Sequence, residues 1–359
     1  MPSAATTTVG MKRTAITRFA KSLLFNSGVL ACARAWGNWQ APLVRVLAYH
    51  SVAPAPASYC KADIRIEPRQ FERQLAFLAR HYRVLPLDEA IADLSCGRPL
   101  PARAVAITFD DGYRDNYDYA LPVLQRFGLP ATFFVVSAAV SGRQPLWVGQ
   151  LQLALMTAAD LAPVRRAFGQ SATTAADNAD SRQDLIDRIS TLINRADAPT
   201  RALLLERTYA ALEFDPGLPA NIPLVLTPTH LREMEAAGMT IGSHSATHPI
   251  LTSLDQDAAA HELSNSKNEI EAMIEGRVEH FAFPNGPGVE NFSASAARLV
   301  SACGYRSAST SFRGMLKSEG QLFAIPRLNI GGTVTDAEFA FKLEEHNFSL
   351  LLFDSATSA

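Results

Sequence analysis

The stretch from Ala104 to Val135, AVAITFDDGYRDNYDYALPVLQRFGLPATFFV, contains the signals that decide the fold. It opens with an apolar run typical of a buried strand, 104–110, and closes with another, 131–136. A helical pattern joins them and ends at Gly128, where glycine supplies the left-handed backbone that terminates a helix. The order strand, helix, strand predicts a βαβ unit with two parallel strands.

The same alternation continues on both sides of this unit. Further β-rich runs are RVLAYH (45–50), TIGSH (240–244), HFAFP (280–284) and YRSAST (305–310). Helical patterns separate these runs, so the chain is predicted to be an α/β protein with a parallel sheet, either open or closed into a barrel. In both architectures the functional side chains collect beyond the carboxyl ends of the strands.

One segment departs from this alternation. From 147 to about 223, helical patterns follow one another without a strand, which predicts a helical insertion after the strand at 131–136. The insertion is either a solvated decoration or a cover on one side of a substrate cleft. We therefore predict an N-terminal basic, amphipathic segment (1–44), a catalytic domain that contains the insertion (45–335), and a C-terminal helix and tail (336–359).

Charge and composition exclude some classes of partner. The chain has 33 Lys and Arg against 35 Asp and Glu, a net charge of -2, so no strong positive field attracts nucleic acid and we expect no such partner. A hydrophobic share of 48% suits a globular protein with a large core. The four cysteines lie far apart without a C-x-x-C pair, which favours packing roles and leaves the compartment open.

The N-terminal stretch 11–33, MKRTAITRFAKSLLFNSGVLACA, begins basic and becomes apolar. This pattern favours an amphipathic helix with peripheral contact to a membrane surface. It also fits a secretory signal, and disorder is the third alternative. We therefore expect a cytoplasmic or membrane-peripheral protein, with export as the alternative.

Two like charges, Asp110 and Asp111, stand directly after an apolar strand. Adjacent carboxylates repel each other unless a cation lies next to them. His244 and His248 have i, i+4 spacing, which on a helical turn would place both rings on one face around one cation. Asp111 would complete a site of two histidines and one carboxylate, leaving Asp110 to accept a proton from activated water. D-D-G alone is usually a polar turn and H-x-x-x-H alone often occurs by chance, but their shared position at strand ends favours a metal site.

The motif TFDDG (108–112), together with SHSATH (243–248), resembles the first two motifs of the polysaccharide deacetylase family. The resemblance extends over about 45–330. Members are metal-dependent hydrolases that remove acetyl groups from N-acetylated, and sometimes O-acetylated, sugars. The resemblance implies an incomplete or distorted (β/α) barrel and an N-acetylated saccharide substrate. It also implies a general base at Asp110 and a divalent metal ion, with Zn²⁺ expected, on Asp111, His244 and His248.

The third family motif usually carries an arginine that orients the base, but here FAFPNG (281–286) has Phe281 in roughly that place. The start LAYHSV (47–52) and the segment 71–91 resemble the bacterial exopolysaccharide branch. In that branch a histidine near the beginning of the domain can replace the usual late catalytic one.

His50 is our predicted general acid, because it alone of the remaining histidines lies at the carboxyl end of a predicted strand. The alternative is that His50 only hydrogen-bonds the backbone to close the barrel. Arg327, in IPRLNI near the last strand, could also pair with a site carboxylate. The predicted substrate-binding residues are Tyr113, Pro284, Asn285, Gly286 and Arg327.

The expected activity is hydrolysis of acetyl groups on the amino sugars of a polysaccharide or glycoconjugate. Two alternatives stay open at this point. One is a metal-dependent hydrolase of another amide or of an ester, because a metal site determines the reaction type better than the substrate. The other is a non-catalytic carbohydrate-binding relative.

Overall fold

The computed structural model describes residues 43–55, 57–168, 179–216, 224–284 and 292–354. The predicted amphipathic or signal segment, 11–33, lies outside these residues, so the expected membrane contact stays a prediction. None of the helices in the described residues combines the length and the apolar character that crossing a bilayer requires.

Ten strands form in the described residues. They are β1 (Val44–Tyr49), β2 (Ser51–Val52), β3 (Arg65–Ile66), β4 (Arg83–Val84), β5 (Ala104–Phe109), β6 (Thr132–Val135), β7 (Thr240–Ser243), β8 (His280–Ala282), β9 (Ser307–Ser309) and β10 (Leu328–Asn329).

Eight of these strands form one parallel sheet in the order β10-β1-β5-β6-β7-β8-β9, with β4 paired to the start of β5. β2 and β3 form a separate pair.

Twelve α-helices complete the described chain. They are α1 (Pro68–His81), α2 (Leu87–Ser95), α3 (Leu121–Phe127), α4 (Ser137–Val140), α5 (Trp147–Thr157), α6 (Ala162–Ala167), α7 (Ala179–Arg195), α8 (Ala198–Ala211), α9 (Pro228–Ala236), α10 (Gln256–Ile274), α11 (Ala294–Ala302) and α12 (Asp336–Asp354). A π-helical turn, Asn116–Ala120, leads into α3, and short 3₁₀ turns form at Leu251–Ser253 and Glu319–Gln321.

The central strands are largely apolar on both faces because both faces are covered. Every residue of β1 and β5 is buried, as parallel strands between two apolar layers require. Tyr49, Phe109 and Phe133 point toward the helices, and the rings of Phe109 and Phe133 stack with 4.6 Å between their centres. Val46 and Ala106 belong to a second apolar cluster, on the other face. Continuous apolar runs, rather than alternating ones, follow from this double coverage.

The sheet curls into an incomplete (β/α) barrel, which confirms the predicted fold class. β9 and β10 do not pair as strands in the described residues, and the arc between them is bridged irregularly. The amide of Thr310 donates to the carbonyl of Ile325, and that of Arg327 donates to the carbonyl of Phe312, both at 2.8 Å. A segment next to β9 is thereby joined to the residues that lead into β10.

The helices α5 to α8 follow β6 and have an apolar cluster of their own. It is built around Trp147, Leu151, Leu185 and Ile189. We call these four helices the insertion. The described residues between β6 and β7 form helices and loops, apart from one isolated bridge of Val225 to Tyr113. The domain limits proposed from the sequence stay predictions.

Gly242 in β7 leaves no room for a side chain, which gives a test of the packing between β6 and β8. A Cβ there would lie 2.5 Å from Cδ1 of Phe134 and 3.1 Å from the carbonyl oxygen of His280. Gly242→Ala should therefore displace the Phe134 ring and lower the free energy of unfolding by about 1–3 kcal/mol, measured by chemical denaturation. Gly320→Ala is the control, because its nearest new contact is Ser318 Oγ at 3.9 Å. An equal loss in the control would contradict the steric argument.

Candidate active site

The side chains that could take part in a reaction lie together at the carboxyl edge of the sheet. Asp110 and Asp111 follow the last residue of β5 directly, and His50 and His244 follow β1 and β7 in the same way. The amide of Asp110 still donates to the carbonyl of Tyr49, at 3.0 Å, so the backbone pairing continues one residue past the strand. Side chains at these positions are therefore held by the sheet and not by a free loop.

Asp111, His244 and His248 form a buried group that could hold a metal ion. The carboxylate Oδ1 of Asp111 lies 3.4 Å from Nε2 of His244 and 3.2 Å from Nε2 of His248. The three potential ligand atoms all lie within 4.8 Å of one another. Two imidazole nitrogens and one carboxylate oxygen, with room for further ligands, are a donor set that suits zinc and other divalent transition metals.

The predicted helical turn between the two histidines is wrong, because residues 244–248 form a loop. Ser245 and His248 have φ angles of +67° and +61°, and Asp111 has +73°. These left-handed conformations, rare in residues with a Cβ, turn both rings toward Asp111 with 5.0 Å between the ring centres. Such strain costs about 1–3 kcal/mol per residue and persists where neighbouring contacts determine the backbone.

Two side chains, Ser245 and Glu262, hold this loop by accepting hydrogen bonds from it. Ser245 Oγ accepts from the amide of His248 at 3.0 Å. Glu262 on α10 accepts from the amides of Ala246 and Thr247, both at 2.9 Å, and from the Thr247 hydroxyl at 2.7 Å. Sequence reasoning missed Glu262, because one glutamate in a polar helix carries no local signal of its distant partner.

The two histidines are oriented by different contacts. Nδ1 of His244 lies 2.8 Å from the carbonyl of Ala282, so the proton on that nitrogen leaves Nε2 free to bind a cation beside Asp111. Nδ1 of His248 has no hydrogen-bond partner among the described residues. Its ring meets the indole of Trp147 edge to face, with 6.1 Å between ring centres.

The electrostatics of the group keep Asp111 ionised. Burial raises its pKa, but the hydrogen bonds of His244 and His248 outweigh burial, and the pKa lies well below its usual range. For His244, burial lowers the pKa, but the contact with Asp111 and the charge of Asp110 raise it overall. For His248, burial dominates and the pKa is lowered. Asp111 is therefore an anion, and His248 is favoured in the neutral state that binds metals.

Asp110 is held by a fully buried arginine. Arg327, with no exposed surface, donates from its two terminal nitrogens to the two oxygens of Asp110, each at 2.7 Å. Its Nε donates to the carbonyl of Thr310 at 2.8 Å, and Nη1 also lies 3.2 Å from Thr108 Oγ1. Burial raises the pKa of Asp110, but the charges of Arg327 and His244 together with the hydrogen bonds from Arg327 outweigh burial, so the pKa is lowered overall.

The assignment of Arg327 to substrate binding is therefore corrected, because a side chain without exposed surface cannot contact a saccharide. Its pairing with a site carboxylate, the other role considered for it, is the one the structure shows. An arginine therefore contacts Asp110 although the stretch FAFPNG (281–286) contains none. The signal in the sequence was a charged residue inside the apolar run IPRLNI.

His50 lies beside Asp110 at the edge of the site. Its Nε2 is 3.9 Å from Oδ2 of Asp110, and its side chain keeps 23% exposure. Its peptide carbonyl, rather than its ring, accepts a hydrogen bond, from Nδ2 of Asn116 at 2.7 Å. The ring is therefore accessible from the cleft while its backbone is fixed.

A further buried carboxylate, Asp115, fixes the segment that follows His50. It accepts hydrogen bonds from Ser51 Oγ at 2.6 Å, the amide of Val52 at 2.9 Å and the hydroxyl of Tyr59 at 2.8 Å. Burial raises its pKa overall. Sequence reasoning missed this role, since Asp115 stands in a polar stretch where a solvated turn is the ordinary expectation.

A cavity of about 540 Å³ lies at this edge of the sheet. Its lining includes His50, Asp110, Asp111, His244 and His248. Tyr113 lines it, and Pro284 is buried next to Phe283, which also lines it. Asn285 and Gly286 lie outside the described residues, so their substrate contacts stay predictions. The insertion contributes part of the wall through Trp147, Val148, Leu151, Gln152 and Ser190.

Comparisons with known proteins agree with this geometry. Residues 97–161 and 172–308, more than half of the chain, match the sequence model of the family described as Polysaccharide deacetylase. The chain is 31% identical over 120 residues to YxkH of Bacillus subtilis (strain 168), whose name carries the same family term. That match covers 33% of this chain and 41% of YxkH.

Two further likenesses are informative. A stretch of 44 residues is 48% identical to the poly-β-1,6-N-acetyl-D-glucosamine N-deacetylase of Escherichia coli (strain K12), covering 12% of this chain and 6% of that protein. The fold is similar to that of the Streptococcus pyogenes deacetylase PplD, solved in complex with acetate, with a TM-score of 0.56. The two chains are 18% identical, over 85% of this chain and 99% of that one, so this likeness shows the fold alone.

The Arg327–Asp110 pair gives a test that does not depend on activity. In metal-free protein, Arg327→Met should lower the free energy of unfolding by about 3–5 kcal/mol, because it leaves a buried carboxylate unpaired. The double variant with Asp110→Asn should lose less than the sum of the two single losses. Because pairing depresses the pKa of Asp110, the stability it adds is present above the ordinary pKa and lost as pH falls. The penalty of Arg327→Met should therefore shrink in acid. Additive losses in the denaturation cycle would contradict the pairing.

Proposed function

Because the chain belongs to the polysaccharide deacetylase family, we propose that it removes acetyl groups from the N-acetylated amino sugars of a saccharide chain by metal-dependent hydrolysis. The observation that carries this proposal is the pairing of a buried Asp111–His244–His248 group with a neighbouring carboxylate, Asp110, that an arginine holds in place. An ion pair with a purely structural role would not need the two histidines. A protein that only binds sugar would not need the Asp110 carboxylate.

Asp111, His244 and His248 would hold the metal ion, and the tautomer of His244 fits this role because its Nδ1 faces a carbonyl oxygen. When bound, a divalent cation supplies Lewis-acid polarisation of the acetyl carbonyl and makes water more acidic. Zn²⁺ is the ion that we propose, since nitrogen and carboxylate ligands of this number are typical of catalytic zinc.

Asp110 would accept the proton of the attacking water. It is ionised, and the bidentate contact with Arg327 fixes both of its oxygens, so its orientation does not depend on the substrate. Arg327 is thus a positioning residue that acts through Asp110. It also stabilises the negative form of the carboxylate, which a base must have before the reaction starts.

His50 would donate a proton to the amine that leaves. An amide nitrogen is a poor leaving group unless it is protonated, so an acid must stand near the base that activates water. The 3.9 Å between the His50 ring and Asp110 places both groups at the same end of the cavity. The partial exposure of His50 lets its proton be replaced from solvent.

Two observations support an amino-sugar polymer as the substrate. The Escherichia coli relative acts, by its name, on poly-β-1,6-N-acetyl-D-glucosamine, and we propose a substrate of this class. Trp147, which is 7% exposed, gives the wall an aromatic surface of the kind that sugar rings contact.

Acetate release from oligomers of β-1,6-linked N-acetylglucosamine tests the proposal. A chelator should abolish release and added Zn²⁺ should restore it. Asp110→Asn should lower kcat on the order of 10²-fold or more while the metal content stays unchanged. Asp118→Asn, an exposed aspartate of the same segment, is the matched control and should behave like the wild type. No acetate from metal-loaded wild type would refute the function, and metal loss in Asp110→Asn would make that residue a ligand instead of the base.

The role of His50 is tested by changing the leaving group. His50→Ala should slow amide deacetylation on the order of 10²-fold, yet largely spare an activated aryl acetate, whose leaving group needs little protonation. Metal content should be unchanged, and His261→Ala, on the exposed side of α10, serves as control. Equal losses on both substrates would exclude His50 as the acid.

A further inference from the structure

The metal-binding group has one histidine whose orientation the usual kind of contact does not explain. A metal-bound histidine ordinarily donates its second ring N–H to a carboxylate, a carbonyl or water, which fixes the ring. His244 has such a partner in the carbonyl of Ala282. Nδ1 of His248, buried like the rest of the residue, has none in the part of the chain that the structure describes. The Asp111 carboxylate lies beside Nε2, the nitrogen that would bind the ion, so a contact elsewhere on the residue would hold the His248 ring when metal is bound.

Trp147, the first residue of α5, makes the contacts that do so. Its indole Nε1 donates to the backbone carbonyl of His248 at 3.3 Å. Its ring meets the imidazole at an interplanar angle of 68°, an edge-to-face geometry that is favourable between aromatic rings. One side chain therefore contacts both the backbone and the ring of the same ligand. The left-handed backbone of His248 is a conformation that such contacts are needed to maintain.

Arg201 on α8 lies over the same indole. Its guanidinium carbon is 5.5 Å from the centre of a Trp147 ring, and the residue is 6% exposed. A cation over a tryptophan ring is attracted by it, more strongly where water is excluded. Glu262 on α10 accepts hydrogen bonds from the amides of the loop that precedes His248. The insertion and α10 therefore both contact the loop that carries His248.

The position of the indole is set by the insertion itself. Trp147 is 7% exposed and belongs to the apolar cluster of the insertion, together with Leu151 and Leu185. We propose that Trp147 is a positioning residue for the metal ligand His248, so that the insertion determines metal affinity in addition to lining the cavity. This inference rests on the proposed function only in requiring that the group binds a metal ion.

The test measures metal binding by the full chain after removal of metal. Zn²⁺ affinity is measured by competition with a chromogenic chelator, and Co²⁺ serves as a spectroscopic probe of coordination. Trp147→Leu should weaken Zn²⁺ binding by about 10–100-fold, the usual effect of removing a contact that orients a ligand. Its Co²⁺ absorption spectrum should also change, because His248 is no longer held in place. Trp147→Phe keeps a ring edge but loses the N–H donor, so its loss should be smaller.

Ile91→Ala is the control, because Ile91 on α2 is equally buried but belongs to the second apolar cluster, which does not include Trp147. It should lower thermal stability while leaving Zn²⁺ affinity and the Co²⁺ spectrum unchanged. Wild-type affinity in folded Trp147→Leu would overturn the inference, and so would an equal loss in Ile91→Ala. If the wild type binds Zn²⁺ and the variants follow the expected order but no acetate is released, the inference stands and the proposed activity fails. A wild type that binds no Zn²⁺ would overturn both.

Discussion

The buried pair between Arg327 and Asp110 is the constraint on which the rest of the site depends. The barrel is incomplete, and the arc between β9 and β10 lacks a regular ladder in the described residues. The Arg327 guanidinium meets the carbonyl of Thr310 on one side and the end of β5 on the other. A charge without exposed surface is tolerated only when it is paired and hydrogen-bonded. The pair that neutralises the buried guanidinium therefore also fixes a carboxylate at the carboxyl edge of the sheet.

The insertion contacts two parts of the candidate site, the wall of the cavity and the loop that carries His248. A long helical excursion after one strand reads as an accessory to substrate binding, and its residues do line the cavity. Trp147, however, also donates a hydrogen bond to the carbonyl of His248 and contacts its ring. A residue that only covered the cleft would not need these contacts. Substrate selection and metal retention would then share a residue. Homologous enzymes with another insertion would need another way to hold the second histidine.

Much of this site could be predicted from the sequence, because the rule that parallel strands present their carboxyl ends at one edge is independent of detail. It placed Asp110, Asp111 and His244 together from their positions after apolar runs. The conformation of the loop up to His248 could not be predicted in this way. Its left-handed residues include Ser245, which has a Cβ, and they are stabilised by Glu262, a contact from another helix. Partners of this kind depend on the packing of distant elements and leave no local pattern.

The pairing of β1 with both β5 and β10 has a consequence for the order in which the protein can assemble. Asp110 and Arg327 are separated by 217 residues along the chain. At ordinary rates of synthesis, about 5–20 residues per second, the arginine leaves the ribosome roughly 10–40 s after the aspartate. Throughout that interval the nascent domain can form β5 and its neighbours, but it cannot bury Asp110 without an unpaired charge. We therefore expect the carboxyl edge of the sheet to stay open to water until the C-terminal strand arrives, which makes the candidate active site one of the last parts of the molecule to become dry.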